Sequence, residues 1–242
     1  MKSVVPLALL IAASGAWSQT GANTKASDVL SFPSGELRIT FIGHGTLMLD
    51  WKGWIIHVDP VSREADYTKL PKADLILITH EHADHLDPKA VAQIRQAGTR
   101  IVANEAAAKA LSGAEVLHNG EAITINGVNI LAIAAYNTTP GREHFHPRGR
   151  GNGYVLDFAG QRVYIAGDTE VTREMLGLKD IAVAFLPMNQ PYTMTPEQVA
   201  EAARALRPRI LYPYHYGETD PARLPALLKD LPEVEVRIRD LR

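Results

Sequence analysis

Four candidate metal ligands, His80, His82, Asp84 and His85, fall within six residues, in the run His80-Glu81-His82-Ala83-Asp84-His85. Imidazole and carboxylate donors of this kind suit zinc, and they also accept manganese or iron. On an extended chain His80 and His82, two residues apart, project to the same side. Asp84 and His85 come just before Asp87-Pro88, where the chain turns and can aim two neighbouring side chains elsewhere, so the run suits two metal positions better than one. With nine histidines in 242 residues, three at these offsets arise by chance about 1% of the time. Glu81, between the ligand candidates, reads as a solvated side chain. A bound dication lowers the pKa of its water from about 15.7 to about 7, and a second dication polarises a carbonyl or phosphoryl oxygen.

The elements that must place these groups are legible around them. Asp74-Leu75-Ile76-Leu77-Ile78-Thr79 is an apolar strand that delivers the chain into His80. Further strands are expected at Leu37–Ile42, Thr46–Asp50, Trp54–Val58, Arg100–Ala103, Val128–Ala134, Tyr154–Phe158, Arg162–Ala166, Ile181–Leu186, Arg209–Tyr212 and Val234–Ile238. Helices are signalled over Lys89–Gln96 after the Asp87-Pro88 start, over Glu105–Leu111 after Asn104, from Thr195-Pro196-Glu197-Gln198 to Arg207, and from Asp220-Pro221 to near Asp230. Strands come first as hairpins and then alternate with helices, which fits packed sheets with helices outside.

Composition narrows the functional classes. Lys and Arg number 25 against 27 Asp and Glu, a net charge of -2, which offers no basic excess for holding nucleic acid or an anionic membrane. The absence of cysteine removes disulfides, thiolate zinc sites, cysteine nucleophiles and iron–sulfur clusters. At the start of the chain, Lys2, the apolar run Val4–Ala13 and the small-x-small site Ala16-Trp17-Ser18 read as a cleaved signal peptide over residues 1–18. That run is too short to span a bilayer, so no stable membrane insertion is expected after cleavage. One domain over 19–242 in the periplasm or outside the cell is the resulting expectation.

The histidine run resembles the H-x-H-x-D-H signature of the metallo-β-lactamase superfamily. Tyr164-Ile165-Ala166-Gly167-Asp168-Thr169 is similar to the motif that carries the metal-bridging Asp, and Tyr212-Pro213-Tyr214-His215-Tyr216-Gly217 to the final His motif. Leu37 to Gly45 and Ile56-His57-Val58-Asp59-Pro60 are similar to the opening strands of the lactonase-like and phospholipase-like branch. The resemblance implies an α/β fold, a four-layer αββα sandwich with its metals at one edge between the sheets. It also implies two divalent ions, zinc by preference. One would be held by His80, His82 and His146, the other by Asp84, His85 and His215, with Asp168 between them. Asp84 would also act as a catalytic residue that orients water and moves its proton to the leaving group.

One ligand departs from the pattern. Where many relatives carry a His after Ala134-Ala135, this chain has Tyr136-Asn137. His146, in the Gly-rich loop entering a strand, is preferred to His144, with Asn137 an alternative oxygen donor; His118, beside Asn119-Gly120, reads as surface. His44 between two glycines is expected near the pocket or in a turn, His57 as a core histidine, and Asp59 as a turn residue or as the partner of a ligand imidazole. Arg142, Arg148 and Arg150 read as a solvated loop or as a grip for an anionic substrate, and Tyr192 and Met194 as pocket lining or packing.

The implied function is hydrolysis of an ester, lactone or phosphoester in a small-molecule substrate. A zinc β-lactamase is the alternative, disfavoured by Asp168 at the bridging position and by the missing Cys. A metal-binding module without catalysis is the other alternative.

Overall fold

The computed structural model describes residues 25–242. The signal peptide expected at 1–18 lies outside them.

Two seven-stranded sheets divide the chain between them. The first holds β1 (Ser27–Phe32), β2 (Gly35–Gly43), β3 (Thr46–Trp51), β4 (Trp54–Val58), β5 (Leu75–Ile78), β6 (Arg100–Ala103) and β7 (Ala114–Val116), in that spatial order. The second holds β8 (Ala122–Ile125), β9 (Val128–Ala135), β10 (Gly151–Phe158), β11 (Gln161–Ile165), β12 (Ile181–Pro187), β13 (Ile210–Tyr214) and β14 (Glu235–Val236), each again beside its sequence neighbour. Each sheet opens with four antiparallel strands and continues with parallel ones. Parallel neighbours need crossovers, and helices supply several: α1 (Pro88–Ile94), α2 (Glu105–Ala108) and, in the second half, α3 (Arg173–Leu176) and α4 (Pro196–Leu206), with α5 (Leu224–Leu227) before the last strand. The expected α/β sandwich with outer helices is what forms.

Side-chain alternation explains why the strand before His80 is apolar throughout. Leu75 and Leu77 join the main core, which takes residues from both sheets, whereas Ile76 and Ile78 face the other way into a smaller core with Ala90, Val91 and Ile94 of α1. A strand buried on both faces has no polar side to show. The helix starts follow their caps. Asp87 accepts from Lys89 N with Pro88 in the first turn, and Thr195 and Gln198 exchange hydrogen bonds with each other's backbone N–H at 3.1 and 2.8 Å.

Several elements differ from the expected set. β1 alternates exposed and buried residues on an edge, so its polar half hides it from a search for apolar runs. β7 is a three-residue edge with little burial, and α3 is a single turn capped by Thr172. β8 pairs with β9 through Asn126-Gly127, both with positive φ, a two-residue hairpin turn of the kind that favours this dipeptide. Pro225 has no N–H to donate back to Pro221 O, so the helix expected after Asp220 begins as a 3-10 turn over Pro221–Arg223; the α-helix that follows ends at Leu227.

Direction matters most for function. β2, β4 and β5 run the same way in the first sheet, as do β9, β11, β12 and β13 in the second. His44, Asp59, His80, Asn137, Asp168, Asn189 and His215 each follow the carboxyl end of one of these strands by one to three residues. In open α/β sheets that end is where side chains from separate loops converge.

Candidate metal centre

The side chains from these loops meet at one edge of the sandwich. Ligand atoms of His80, His82 and His146 lie within 4.8 Å of one another, as do those of Asp84, His85, His215 and His44, and those of His80, His85 and Asp168. Asp168 stands between the first two groups. Its Oδ2 is 3.2 Å from His146 Nε2, 3.4 Å from His215 Nε2 and 4.0 Å from His80 Nε2, and its Oδ1 is 3.4 Å from His85 Nε2. All seven residues expected at the site are therefore brought together. Asp168 can reach this place because Gly167 before it has φ 66°, and a Cβ there would lie 2.7 Å from Asn152 O.

Buried carboxylate and amide groups set which face each imidazole turns inward. Asp59 Oδ2 accepts from His85 Nδ1 at 2.8 Å and from the Thr79 hydroxyl at 2.6 Å, while its Oδ1 accepts from Thr79 N at 2.8 Å. A hydroxyl has one proton to donate, and Thr79 gives it to Asp59. Its 3.0 Å contact with His80 Nδ1 thus puts the proton on the ring nitrogen. One carboxylate holds His85 directly and His80 through Thr79, and both rings turn Nε2 toward the centre. On the other sheet, Asn137 Nδ2 donates to Tyr192 O at 2.8 Å, leaving Asn137 Oδ1 to accept from His146 Nδ1 at 2.7 Å. Asn137, weighed from the sequence as an oxygen donor to metal, orients His146 instead.

The inward atoms lack protein partners. His80 Nε2, His85 Nε2, His215 Nε2 and Asp168 Oδ1 are buried without a hydrogen bond, an arrangement that costs about 1–3 kcal/mol per group unless something else satisfies them. Convergent bare imidazole and carboxylate atoms fit a divalent cation. Burial and the neighbouring His85 hold His80 well below its ordinary pKa, which favours the neutral ring that coordinates. Burial acts on His85 in the same direction, but Asp168 and Asp59 outweigh it and hold that ring above its ordinary value, with a proton that a cation would displace. Burial pushes the carboxyl groups up, but His215 and His85 around Asp168, and His215 and His44 around Asp84, overcome it and keep both ionised.

His44 packs against this centre. Its Nε2 is 3.1 Å from Asp84 Oδ2, its Nδ1 is 2.8 Å from Arg242 O, and its ring lies 3.8 Å from that of His215. Gly45 beside it is required by contact, because a Cβ there would stand 2.7 Å from His85 Cε1. The remaining candidates fall elsewhere. His144 and His118 are exposed. His57 is buried against Tyr67, with Nε2 3.1 Å from Pro71 O. Met194 is core, whereas Tyr192 lines an open cleft of about 250 Å³ above the centre together with Phe145 and Asn189. Sequence reasoning did not single out Thr79, Asn189 or Glu170. Their positions at or just beyond strand ends were the available signal.

Residues 38–215 match the family described as the beta-lactamase superfamily domain. A metal-dependent hydrolase of Thermococcus kodakarensis is 31% identical over 218 residues, covering 83% of this chain and 96% of its own length. The crystal structure of a protein from Parabacteroides distasonis, described as a candidate metal-dependent hydrolase, superimposes with a TM-score of 0.88 at 56% identity, over 90% of this chain and 100% of that one. A metallo hydrolase from the archaeon Ignicoccus hospitalis gives a TM-score of 0.70 at 26% identity, over 84% of this chain and 95% of its own.

Proposed function

The chain belongs to the β-lactamase superfamily and is a metal-dependent hydrolase, and we propose that its His/Asp centre holds two dications, zinc by preference, and hydrolyses an ester, lactone or phosphoester. We place this activity in the periplasm or outside the cell, on the strength of the leader-like residues 1–18. One observation carries the reading: three buried imidazole nitrogens without partners converge around a carboxylate, itself with an unpartnered oxygen, that faces two separate histidine groups.

Bound dications would supply an acidified water and a polarised substrate oxygen. The chain's own residues do the rest. Asp168 separates the group His80, His82 and His146 from the group Asp84, His85 and His215. Asp59, Thr79 and Asn137 keep His80, His85 and His146 in the tautomer that offers Nε2, so no rearrangement is needed on loading. Asp84 is partly open to the cleft, its Oδ2 within reach of His44 and His215, and it receives the proton of the attacking water and passes it to the leaving group. Supporting the hydrolase over a β-lactamase are the carboxylate of Asp168 and the lack of any cysteine. Turnover of nitrocefin by the purified protein would favour the lactamase.

The decisive experiment measures metal content and turnover on one sample, with a panel of p-nitrophenyl esters and phosphodiesters and a lactone. Two equivalents of metal are expected, with loss of both turnover and at least one equivalent in Asp168→Ala and in His80→Ala. Turnover persisting at zero bound metal refutes the proposal. Variants that lose stability alone, while wild type turns over nothing in the panel, indicate a structural metal module.

A further inference from the structure

Arg142, Arg148 and Arg150 crowd the segment between β9 and β10, beside the centre, and by type they suit an anionic substrate. The structure assigns each of them to a carboxylate instead. Arg142 Nη1 donates to Gln190 Oε1 at 3.1 Å and lies 3.6 Å from Oε1 of Glu170, whose side chain is fully buried. Glu170 Oε2 accepts from Thr138 N and Thr139 N at 2.7 and 2.6 Å, so its charge is fixed in the wall of the loop and binds Arg142 there. Arg148 donates to Glu174 Oε1 at 3.0 Å, and Arg150 pairs with Glu81.

On the His80 side of the centre Arg150 lines a narrow pocket, held there by Glu81, whereas the wider cleft over Asp84 and His215 carries no cation of its own. Among the described residues that line it, none is Lys or Arg; beyond the His/Asp groups it is walled by Phe145, Tyr192 and Asn189. Phe145 and Tyr192 meet edge to face, with ring centroids 5.0 Å apart and planes at 76°. Tyr192 remains 45% exposed, with its backbone carbonyl tied down by Asn137. Two aromatic rings packed on each other at the mouth form a surface for an apolar group. Asp84 and Asp168 already cancel half the charge of two dications. What remains balances two negative charges, and the attacking water once deprotonated supplies one of them; a neutral ester adds no further charge, whereas a phosphomonoester brings two before reaction and finds no Lys or Arg on this side of the cleft to meet the excess.

We infer that the substrate is a neutral carboxylic ester or lactone whose apolar part, an aryl group by preference, lies against Phe145 and Tyr192. This rests on the hydrolase reading above. In the reaction the oxygen of water bonds to the acyl carbon and the acyl C–O bond breaks. Its electron pair stays on the alcohol oxygen, which takes one proton of the water; the other proton is released as the acid ionises.

The test compares p-nitrophenyl phenylacetate, p-nitrophenyl acetate, p-nitrophenyl phosphate and bis-p-nitrophenyl phosphate on one zinc-loaded preparation, each corrected for its spontaneous rate. The phenylacetate is expected to exceed the acetate about tenfold in kcat/KM, about 1.4 kcal/mol, with both phosphates below the acetate. In Tyr192→Ala the ratio of phenylacetate to acetate falls toward one through KM, and Tyr192→Phe restores it. A phosphate ester turned over better than both carboxylic esters overturns the substrate class and leaves the hydrolase intact. A tenfold ratio unchanged in Tyr192→Ala overturns the aromatic wall. No turnover of any of the four with two metals bound overturns the hydrolase reading itself, and this inference with it.

Discussion

Asp59→Asn tests whether one buried carboxylate governs the metal centre. The side chain accepts three hydrogen bonds, from His85 Nδ1, the Thr79 hydroxyl and Thr79 N, at 2.8, 2.6 and 2.8 Å, and an amide of the same shape can satisfy only part of that set. If its oxygen takes the Oδ2 position, its NH2 opposes the Thr79 N–H, donor against donor. If its NH2 takes the Oδ2 position, His85 must move its proton to Nε2. Thr79 is then free to donate to His80 Nδ1, and His80 moves its proton to Nε2 as well. The first arrangement leaves a buried conflict worth about 1–3 kcal/mol; the second keeps every hydrogen bond but turns N–H groups from two sheet-one histidines toward the centre. Loss of an outer partner of this kind weakens metal binding about 10–100-fold, equivalent to about 1.4–2.7 kcal/mol. Zinc affinity is measured by competition with a chromophoric chelator, and stability by thermal unfolding of the chelated protein. Wild-type zinc affinity together with a wild-type Tm in Asp59→Asn would refute the reasoning.

Three further outcomes follow from the same contacts. Burial lowers the pKa of His57 from 6.5 to about 4; the unfolded chain therefore binds this proton first, and the stability His57 confers is whole above about pH 6.5 and lost as pH falls toward 4. Between about pH 7.5 and pH 5 this amounts to about 2 kcal/mol, and urea unfolding of His57→Leu should show a pH dependence flatter by that amount; an unchanged slope counts against a neutral buried ring. Gly45→Ala sets a methyl 2.7 Å from His85 Cε1, so the two equivalents of metal proposed for the centre should fall toward one in metal analysis of the purified variant; full occupancy would mean that the His44 loop yields. Thr195→Ala removes the cap of α4, costing about 1 kcal/mol by chemical denaturation with little change in kcat, since α4 packs behind β12 rather than at the cleft.

The site was legible in proportion to how local it is. His80 to His85 could be read because a doubly buried strand ends there and four donors follow within one turn of chain, a pattern that needs no distant partner. Asp168 and His215 were legible as groups just beyond apolar strands. His146 was only preferred over His144, and what separates them is spatial: His146 meets Asn137 Oδ1 and faces Asp168, while two residues earlier His144 points into solvent. The edge strands β1 and β7 were missed for a related reason, since an edge buries one face at most and its pairing depends on where the neighbouring strand lies.

Residue types and spacing by themselves determined the kind of chemistry, a His/Asp centre without thiols, and the layered α/β framework that carries it, because both are encoded in short runs. The tertiary structure alone decided which proton sits on which ring nitrogen, which arginines are free and what lines the cleft. Those properties arise between loops tens of residues apart. Asp59 reaches His85, Glu170 reaches Thr138 and Arg142, and Asn137 reaches Tyr192 because each sheet sets the carboxyl ends of its strands side by side, and Asp168 faces His80 and His85 only because the two sheets share that edge.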